Sequence, residues 1–261
     1  MKKIPLLEIL KKKYPDIMPE RLYSYIMCGE VLVDGGRVRD PKILFQSDIP
    51  VFISEKKYVS RGGFKLEKAL SQWKLDVSGK VMLDAGSSTG GFTDCLLQHG
   101  ASLVHAVDSG FNQLSSRLRN DSRVISHEKT NIMELGSLDP VPDMAVADLS
   151  FRSIVKAASQ IISLTGDRVL IALVKPQFEE RGLISGFDGV IRSSQDLKTV
   201  LHETVRLLFE DRTFVLDIIE SPIHGTKGNR EFLCRIAADI PDSISEAALF
   251  ERIISEIDKI C

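Results

Sequence analysis

The sequence predicts an α/β protein, in which a mainly parallel β-sheet covered by helices follows a small α+β unit. Three observations carry this expectation. Beyond residue 80, short apolar runs alternate with helical patterns, which is how parallel sheets are assembled from crossover units. Before residue 60, the helical and strand patterns are shorter and the charge is basic. The length of 261 residues accommodates a large domain plus a small one, and 43% hydrophobic with 27% charged residues is ordinary globular usage. A disordered or collagen-like chain is excluded.

In the front unit, Leu6, Leu7, Ile9 and Leu10 predict a short helix that ends in Lys11-Lys12-Lys13. Pro19 suits the first turn of a second helix, with Leu22, Tyr25 and Ile26 on one face and Gly29 at its end. Val31-Leu32-Val33 reads as a strand, Asp34-Gly35-Gly36 as a tight turn, and residues 49–53 as a further strand. The charged Ser54-Glu55-Lys56-Lys57 reads as a linker. Farther on, strands are expected over 81–83, 103–107, 124–126, 144–147, 169–174 and 214–219. Helices are expected over 92–98, 154–164 and 194–209. A final strand over 231–236 suits an antiparallel edge. Residues 243–260 form an amphipathic helix with Ile244, Ala248, Ile253, Ile254 and Ile257 as its apolar face.

The 34 basic and 36 acidic residues leave a net charge of −2, but they are unevenly placed. Through Lys68 there are 14 Lys/Arg against 9 Asp/Glu, an excess of +5; from Asp239 onward six acids face two bases. A nucleic-acid partner is therefore compatible with the basic front, although not with total charge. Cys28, Cys95, Cys234 and Cys261 lie far apart with no CxxC pair. That spacing speaks against a disulfide framework or a zinc cluster and suits a reducing cytoplasm. No apolar run reaches the ~18 residues of a membrane helix, and no signal-peptide core follows Met1-Lys2-Lys3. A cytoplasmic protein without stable membrane insertion is expected, and its oligomeric state stays open.

The densest signal is Leu83-Asp84-Ala85-Gly86-Ser87-Ser88-Thr89-Gly90-Gly91-Phe92-Thr93, at the end of the first expected strand of the sheet. Glycines admit close backbone approach, and the following helix aims its first N–H groups into the same crevice. The dinucleotide pattern GxGxxG would need glycine where Ser88 stands. A phosphate loop would need lysine where Phe92 stands. What remains has an acid in the loop, Asp84, and a second acid, Asp108, ending the next strand. Asp108 suits ribose hydroxyls and Asp84 a cationic amino acid moiety, a combination that fits S-adenosylmethionine. Gly86, Ser88, Thr89, Gly90, Gly91 and Phe92 would complete that site. Asn131 is placed either at the adenine edge or as a helix cap.

Two charges follow apolar strands: Asp148 after Met144-Ala145-Val146-Ala147, and Lys175 after Val169-Leu170-Ile171-Ala172-Leu173-Val174. The carboxyl ends of parallel strands face the crevice where ligands bind. Lys65 and Glu231 complete a Lys–Asp–Lys–Glu set able to assist a ribose 2′-hydroxyl, a poor nucleophile whose reaction with a sulfonium methyl needs mainly positioning. No metal is required. The five histidines lack partner spacing and are expected to be non-catalytic.

Together these residues resemble the TlyA family of rRNA 2′-O-methyltransferases, also labelled haemolysin A. The marks are Val59-Ser60-Arg61-Gly62-Gly63-Phe64-Lys65-Leu66, the glycine loop, Ala147-Asp148-Leu149-Ser150-Phe151, Val174-Lys175-Pro176-Gln177-Phe178-Glu179 and Gly228-Asn229-Arg230-Glu231-Phe232. The resemblance implies an S4-type RNA-binding domain over 1–54, a linker over 55–60, and an FtsJ-like (RrmJ-like) class I, Rossmann-like methyltransferase over 61–261. It further implies Lys65, Asp148, Lys175 and Glu231 as a catalytic tetrad acting on cytidine ribose of ribosomal RNA or a ribosomal subunit. Lys11, Lys12, Lys13, Arg21, Arg37, Arg39 and Lys42 would contact phosphates. The chain departs from the S4 pattern at Lys3-Ile4-Pro5-Leu6 and Pro19-Glu20-Arg21, and Arg152 replaces an aliphatic residue after the Asp148 motif. Two alternatives are a membrane-active lysin, for which only residues 243–260 offer an amphipathic surface, and a non-catalytic ribosome-assembly protein.

Overall fold

The computed structural model of the chain describes residues 3–27, 29–54, 57–150 and 152–261. Met1, Lys2, Cys28, Glu55 and Lys56 of the expected linker, and Phe151 lie outside the described residues. Two compact units emerge, Met1–Lys57 and Tyr58–Cys261.

The first unit runs β1 (Lys3–Pro5), α1 (Leu6–Lys13), α2 (Pro19–Met27), β2 (Val31–Val33), β3 (Gly36–Val38), β4 (Leu44–Gln46) and β5 (Val51–Ile53). Pro19 opens α2, where its missing N–H costs nothing. Asp34 and Gly35 take positive φ (47° and 79°), the turn geometry that matches the twist of the β2–β3 hairpin. β2 is the centre of a three-stranded antiparallel sheet, and β1 pairs with β4. The β1–β4 pair has no counterpart in the sequence expectations, because three-residue strands carry too little alternation to register. Leu6, Ile9, Leu10, Leu22, Ile26, Val31, Val33 and Val51 form the core. Of the basic residues, Lys11 pairs with Glu8 at 2.8 Å and Arg37 donates to the Gly29 carbonyl at 3.2 Å. Lys13 donates to the Val51 carbonyl and sits 4.4 Å from the Phe52 ring centre. Lys12, Arg21, Arg39 and Lys42 are exposed.

The second unit begins with α3 (Gly62–Gln72), followed by β6 (Val81–Ala85), α4 (Gly91–Gln98), β7 (Leu103–Val107), α5 (Ser116–Arg119) and β8 (Val124–His127). It continues with β9 (Met144–Ala147), α6 (Ala158–Ser163), β10 (Val169–Val174), α7 (Pro176–Glu179), α8 (Ser194–Glu210), β11 (Phe214–Glu220), β12 (Phe232–Ala237) and α9 (Glu246–Ile260). Seven strands form one sheet in the order β11-β12-β10-β9-β6-β7-β8. The fold is Rossmann-like, with β8, β7, β6, β9 and β10 parallel. β12 runs antiparallel to both its neighbours. The expectation of an antiparallel edge strand is thereby corrected: β12 is interior, and β11 is the edge.

Strand alternation sorts the apolar residues onto two faces. Leu83, Ala85, Ala145, Ala147, Leu170, Ala172 and Val174 meet the buried faces of α6, α8 and α9. Met82, Val104, Ala106, Met144, Val146, Ile171, Leu173 and Leu233 meet those of α3 and α4. Helix α9 is capped by Ser245, whose hydroxyl accepts from the Ala248 N–H, and buries Leu249, Ile253 and Ile257. Ala248, expected on the apolar face, is exposed, and Leu249 takes its place. Among the described residues no helix is long and apolar enough to cross a membrane.

Because Ile253 is fully buried, Ile253→Ala should lower the unfolding free energy by about 2–5 kcal/mol. Glu251→Ala, at an exposed site on the same helix, should change it by less than about 0.5 kcal/mol. Urea unfolding midpoints of the two variants test this packing.

Candidate active site

The same alternation that sorts the core determines which charged residues can meet. Asp148 continues the Met144–Val146 face of β9, Lys175 the Ile171–Leu173 face of β10, and Glu231 the Leu233 face of β12. All three therefore belong to the side of the sheet that α3 covers. Antiparallel β12 pairs Phe232 with Val174, so Glu231 stands at the carboxyl end of β10 although it precedes its own strand. Helix α3 packs on α4 and β12 and presents Lys65 from above.

Two ion pairs result. Lys65 Nζ lies 2.5 Å from Glu231 Oε2, and Lys175 Nζ lies 2.6 Å from Asp148 Oδ1. Lys175 also donates to the Leu149 carbonyl at 2.9 Å. Lys65 and Glu231 are only 9% and 3% exposed. Removing one partner of such a pair would strand an uncompensated buried charge. Gly225 accommodates the acid: a Cβ there would stand 2.1 Å from Glu231 Oε1.

Both pairs line one crevice of about 600 Å³, together with Ser60, Arg61, Gly86–Thr89, Gly91, Phe92, Ser150, His224, Gly225 and Lys227. Gly86 has φ +84°, and an added Cβ would come within 2.7 Å of the Asp148 carbonyl oxygen. At Gly91 a Cβ would stand 2.2 Å from Ser60 Oγ and 3.0 Å from the Gly63 nitrogen. The glycines therefore let the loop touch both the Asp148 strand end and the start of α3. Asp94 strengthens this junction. Its Oδ2 accepts from the Val59 N–H at 2.8 Å and meets Arg117 at 2.5 Å.

The expected cofactor residues separate into groups. Gly86, Ser88, Thr89, Gly91, Phe92 and Asp148 line the crevice, and Gly90, with φ 96°, caps α4. Asp108 uses Oδ2 to accept from the Ser88 N–H at 2.8 Å and Oδ1 from the Gly110 N–H at 2.7 Å. It shapes the loop while keeping a second lone pair on each oxygen. Asp84 faces α4, as its place after Met82 on that face dictates. It is completely buried, and its Oδ2 accepts from both the N–H and the hydroxyl of Thr93. Its other oxygen has no hydrogen-bond partner among the described residues. Asn131 caps the following turn: its Oδ1 accepts from the Met133 N–H, and its side-chain amide donates to Glu134.

Burial pushes the Asp84 carboxyl up to about 7 against the pull of Thr93, and Asp148 and Asp108 add to the rise. Three carboxylates at neighbouring strand ends make a negative field that favours a cationic ligand. Among the histidines, His105 and His127 bond each other at 3.0 Å, and burial pushes both below their ordinary value. The rim contributed by Arg61, His224 and Lys227 was not expected from the sequence. Its only signal there is proximity to the Lys65 and Glu231 motifs; in the fold, Arg61 Nη2 donates to the His224 carbonyl at 3.1 Å.

Residues 58–237 match the family model described as FtsJ-like methyltransferase. A protein named "Hemolysin A" from Brachyspira hyodysenteriae is 42% identical over 215 residues, covering 80% of this chain and 89% of that one. "16S/23S rRNA (cytidine-2'-O)-methyltransferase TlyA" of Mycobacterium tuberculosis is 34% identical over 240 residues, covering 88% and 90%. The solved structure named "Putative hemolysin from Streptococcus thermophilus" has 33% identity and a TM-score of 0.69, covering 99% of this chain and 97% of that one.

The raised Asp84 carboxyl gives a signed pH dependence. Between about pH 7 and the ordinary value of 3.8, the folded chain binds a proton that the unfolded chain does not. Its contribution is fully present below 3.8 and lost as pH rises through about 7. Relative to Asp84→Asn, the wild-type chain should therefore gain on the order of a few kcal/mol from pH 8 to pH 4. Chemical unfolding of both across that range measures it, and a constant difference would contradict it.

Proposed function

The chain belongs to the FtsJ-like methyltransferase family, and we propose that it transfers a methyl group from S-adenosylmethionine to a ribose 2′-hydroxyl, that of cytidine, in ribosomal RNA. The observation that carries the proposal is the pair of Lys–carboxylate contacts, the buried Lys65–Glu231 and the half-buried Lys175–Asp148, opening on one crevice beside the glycine loop.

The residues present fit the cofactor. The crevice lies within the ~300–1,000 Å³ span of small-molecule sites. Phe92, in the first turn of α4, offers a dispersion surface where a phosphate loop would need a cation. Asp84, Asp108 and Asp148 favour positive charge, and the free oxygen of Asp84 is a buried acceptor awaiting a donor. Ser88, Thr89 and the Gly86–Gly91 backbone would cradle the ligand, with Asp108 accepting from its ribose. When bound, S-adenosylmethionine supplies an electrophilic methyl group on a sulfonium centre.

The chain's own residues then perform positioning and charge stabilisation. Lys175, held by Asp148 and the Leu149 carbonyl, is placed to orient the attacking hydroxyl and stabilise negative charge developing on its oxygen. Lys65, anchored by Glu231, adds a second positive charge from α3. Asp148 is placed to receive the hydroxyl proton. The walls would hold the reacting atoms in line, the positioning that such a displacement mainly needs.

In this reading residues 1–54 act as an S4-type RNA-binding domain joined by 55–60 to the catalytic domain 61–261. Lys11, Lys12, Lys13, Arg21, Arg37, Arg39 and Lys42 contact phosphates and fix position without reading sequence. A ribosomal substrate puts the protein in the cytoplasm. The relative from Mycobacterium tuberculosis, whose name states rRNA cytidine-2′-O methylation, supports the choice of substrate.

Purified protein should transfer labelled methyl from S-adenosylmethionine to unmodified rRNA or immature subunits. Lys175→Ala should lower that rate by about 10²–10⁴-fold with cofactor affinity retained. Transfer at the wild-type rate by the variant would remove Lys175 from the mechanism. Joint replacement of Lys12, Arg21, Arg39 and Lys42 by Ala should weaken RNA binding and flatten its salt dependence, by about one unit of slope for each phosphate no longer neutralised. Filter binding at several salt concentrations, alongside cofactor titration that stays unchanged, tests this.

A further inference from the structure

Glu179 closes the Val174-Lys175-Pro176-Gln177-Phe178-Glu179 motif and has no part in the reaction described above. It is 3% exposed, at the end of α7. Its Oε1 accepts from the Ile154 N–H at 2.7 Å, and its Oε2 accepts from the Ser153 hydroxyl at 2.5 Å. Arg181 Nη2 donates to Ser153 Oγ at 3.0 Å. Burial pushes the Glu179 carboxyl up, opposed by the Ser153 and Ile154 bonds and by Arg181. A buried carboxyl at a position that only needed filling would be a poor choice, since an apolar side chain would avoid its desolvation.

The position of these bonds gives them a purpose. Four residues before Glu179, Lys175 grips Asp148 and the Leu149 carbonyl. Glu179 grips Ser153 and Ile154. The chain leaving β9 is thus tied at both its ends to the chain leaving β10. Ser150, between the two ties, lines the crevice. If only the lysine tie remained, the wall would be anchored by the same group that is placed to move charge in the reaction.

We propose that Glu179 is a positioning residue, which through Ser153 and Ile154 anchors the chain leaving β9, holds Ser150 in the crevice wall and keeps Asp148 aligned with Lys175. The role rests on the reading of Lys175 and Asp148 as a catalytic pair. The side chain is not among those that line the crevice. Gln at this position preserves both ties, because its amide oxygen accepts from Ile154 and its N–H₂ donates to Ser153 Oγ. Ala preserves neither.

The test compares Glu179→Ala, Glu179→Gln and Ser153→Ala in the full chain, by steady-state methyl transfer to rRNA, cofactor titration and amide hydrogen exchange over 149–154. Glu179→Ala should lower kcat by about 10–100-fold, the scale of an ångström-sized misplacement, with cofactor affinity within about twofold of wild type. Glu179→Gln should recover kcat to within about threefold, and Ser153→Ala should fall between them. Exchange at 149–154 should quicken in Glu179→Ala and stay native in Glu179→Gln. Wild-type kcat in Glu179→Ala, or equal losses in the Ala and Gln variants, would overturn the role. If Glu179→Ala does not fold, Ser153→Ala carries the comparison with a smaller effect. If the wild-type protein methylates no rRNA, the functional reading fails, and exchange alone decides the brace: faster in the Ala variant only upholds it, unchanged overturns it.

Discussion

The contact between Lys65 and Glu231 joins residues 166 positions apart in the chain. Burying two charges is costly unless each satisfies the other, so the pair constrains everything that delivers it. Helix α3 must lie over the carboxyl end of the sheet, β12 must begin there, and Gly225 must leave room for the acid. The close approach of Gly91 to Ser60 and Gly63, and the grip of Asp94 on Val59, secure the start of α3, the end that carries Lys65. The second pair, Lys175–Asp148, then completes the crevice from the two neighbouring strands.

Beyond the acids that pair with these lysines, the carboxylates of Asp84 and Asp108 adjoin the glycine loop. The crevice thus carries two kinds of electrostatics. Asp84 and Asp108 organise a negative region around the glycine loop, one by holding Thr93 and the other by holding the Ser88 and Gly110 amides. The lysines give the opposite side a positive character, each restrained by its own acid. A site that receives a sulfonium ligand and must also stabilise charge on an oxygen needs both regions close together but separate. The loop between β6 and α4 forms the boundary.

Much of this arrangement is legible in particular residues. Phe92 in place of lysine and Ser88 in place of glycine are enough to remove two phosphate-binding readings. Lys175 and Asp148 are conspicuous because a charge ending an apolar strand needs a reason. Asp84 is less legible, because its position after Met82 places it against α4, and only packing shows how completely it is enclosed. Asn131 has two readings of equal merit in the sequence, and packing shows the capping one through the Met133 amide. The exposed Ala248 and the buried Leu249 on α9 show that helical periodicity locates a face only to within about one residue.

By itself, the sequence determined the alternation of strands and helices, the glycine loop, the identity of the four charged residues and the basic front. These depend on local periodicity and on chemistry carried within single motifs. Tertiary structure alone decided that β12 runs backwards inside the sheet rather than along its edge. Strand direction is a property of pairing, and pairing is a contact between distant segments that no local pattern encodes. That reversal brings Glu231 to the carboxyl end of β10 and beneath α3. Four separate charges thereby become two ion pairs in one crevice.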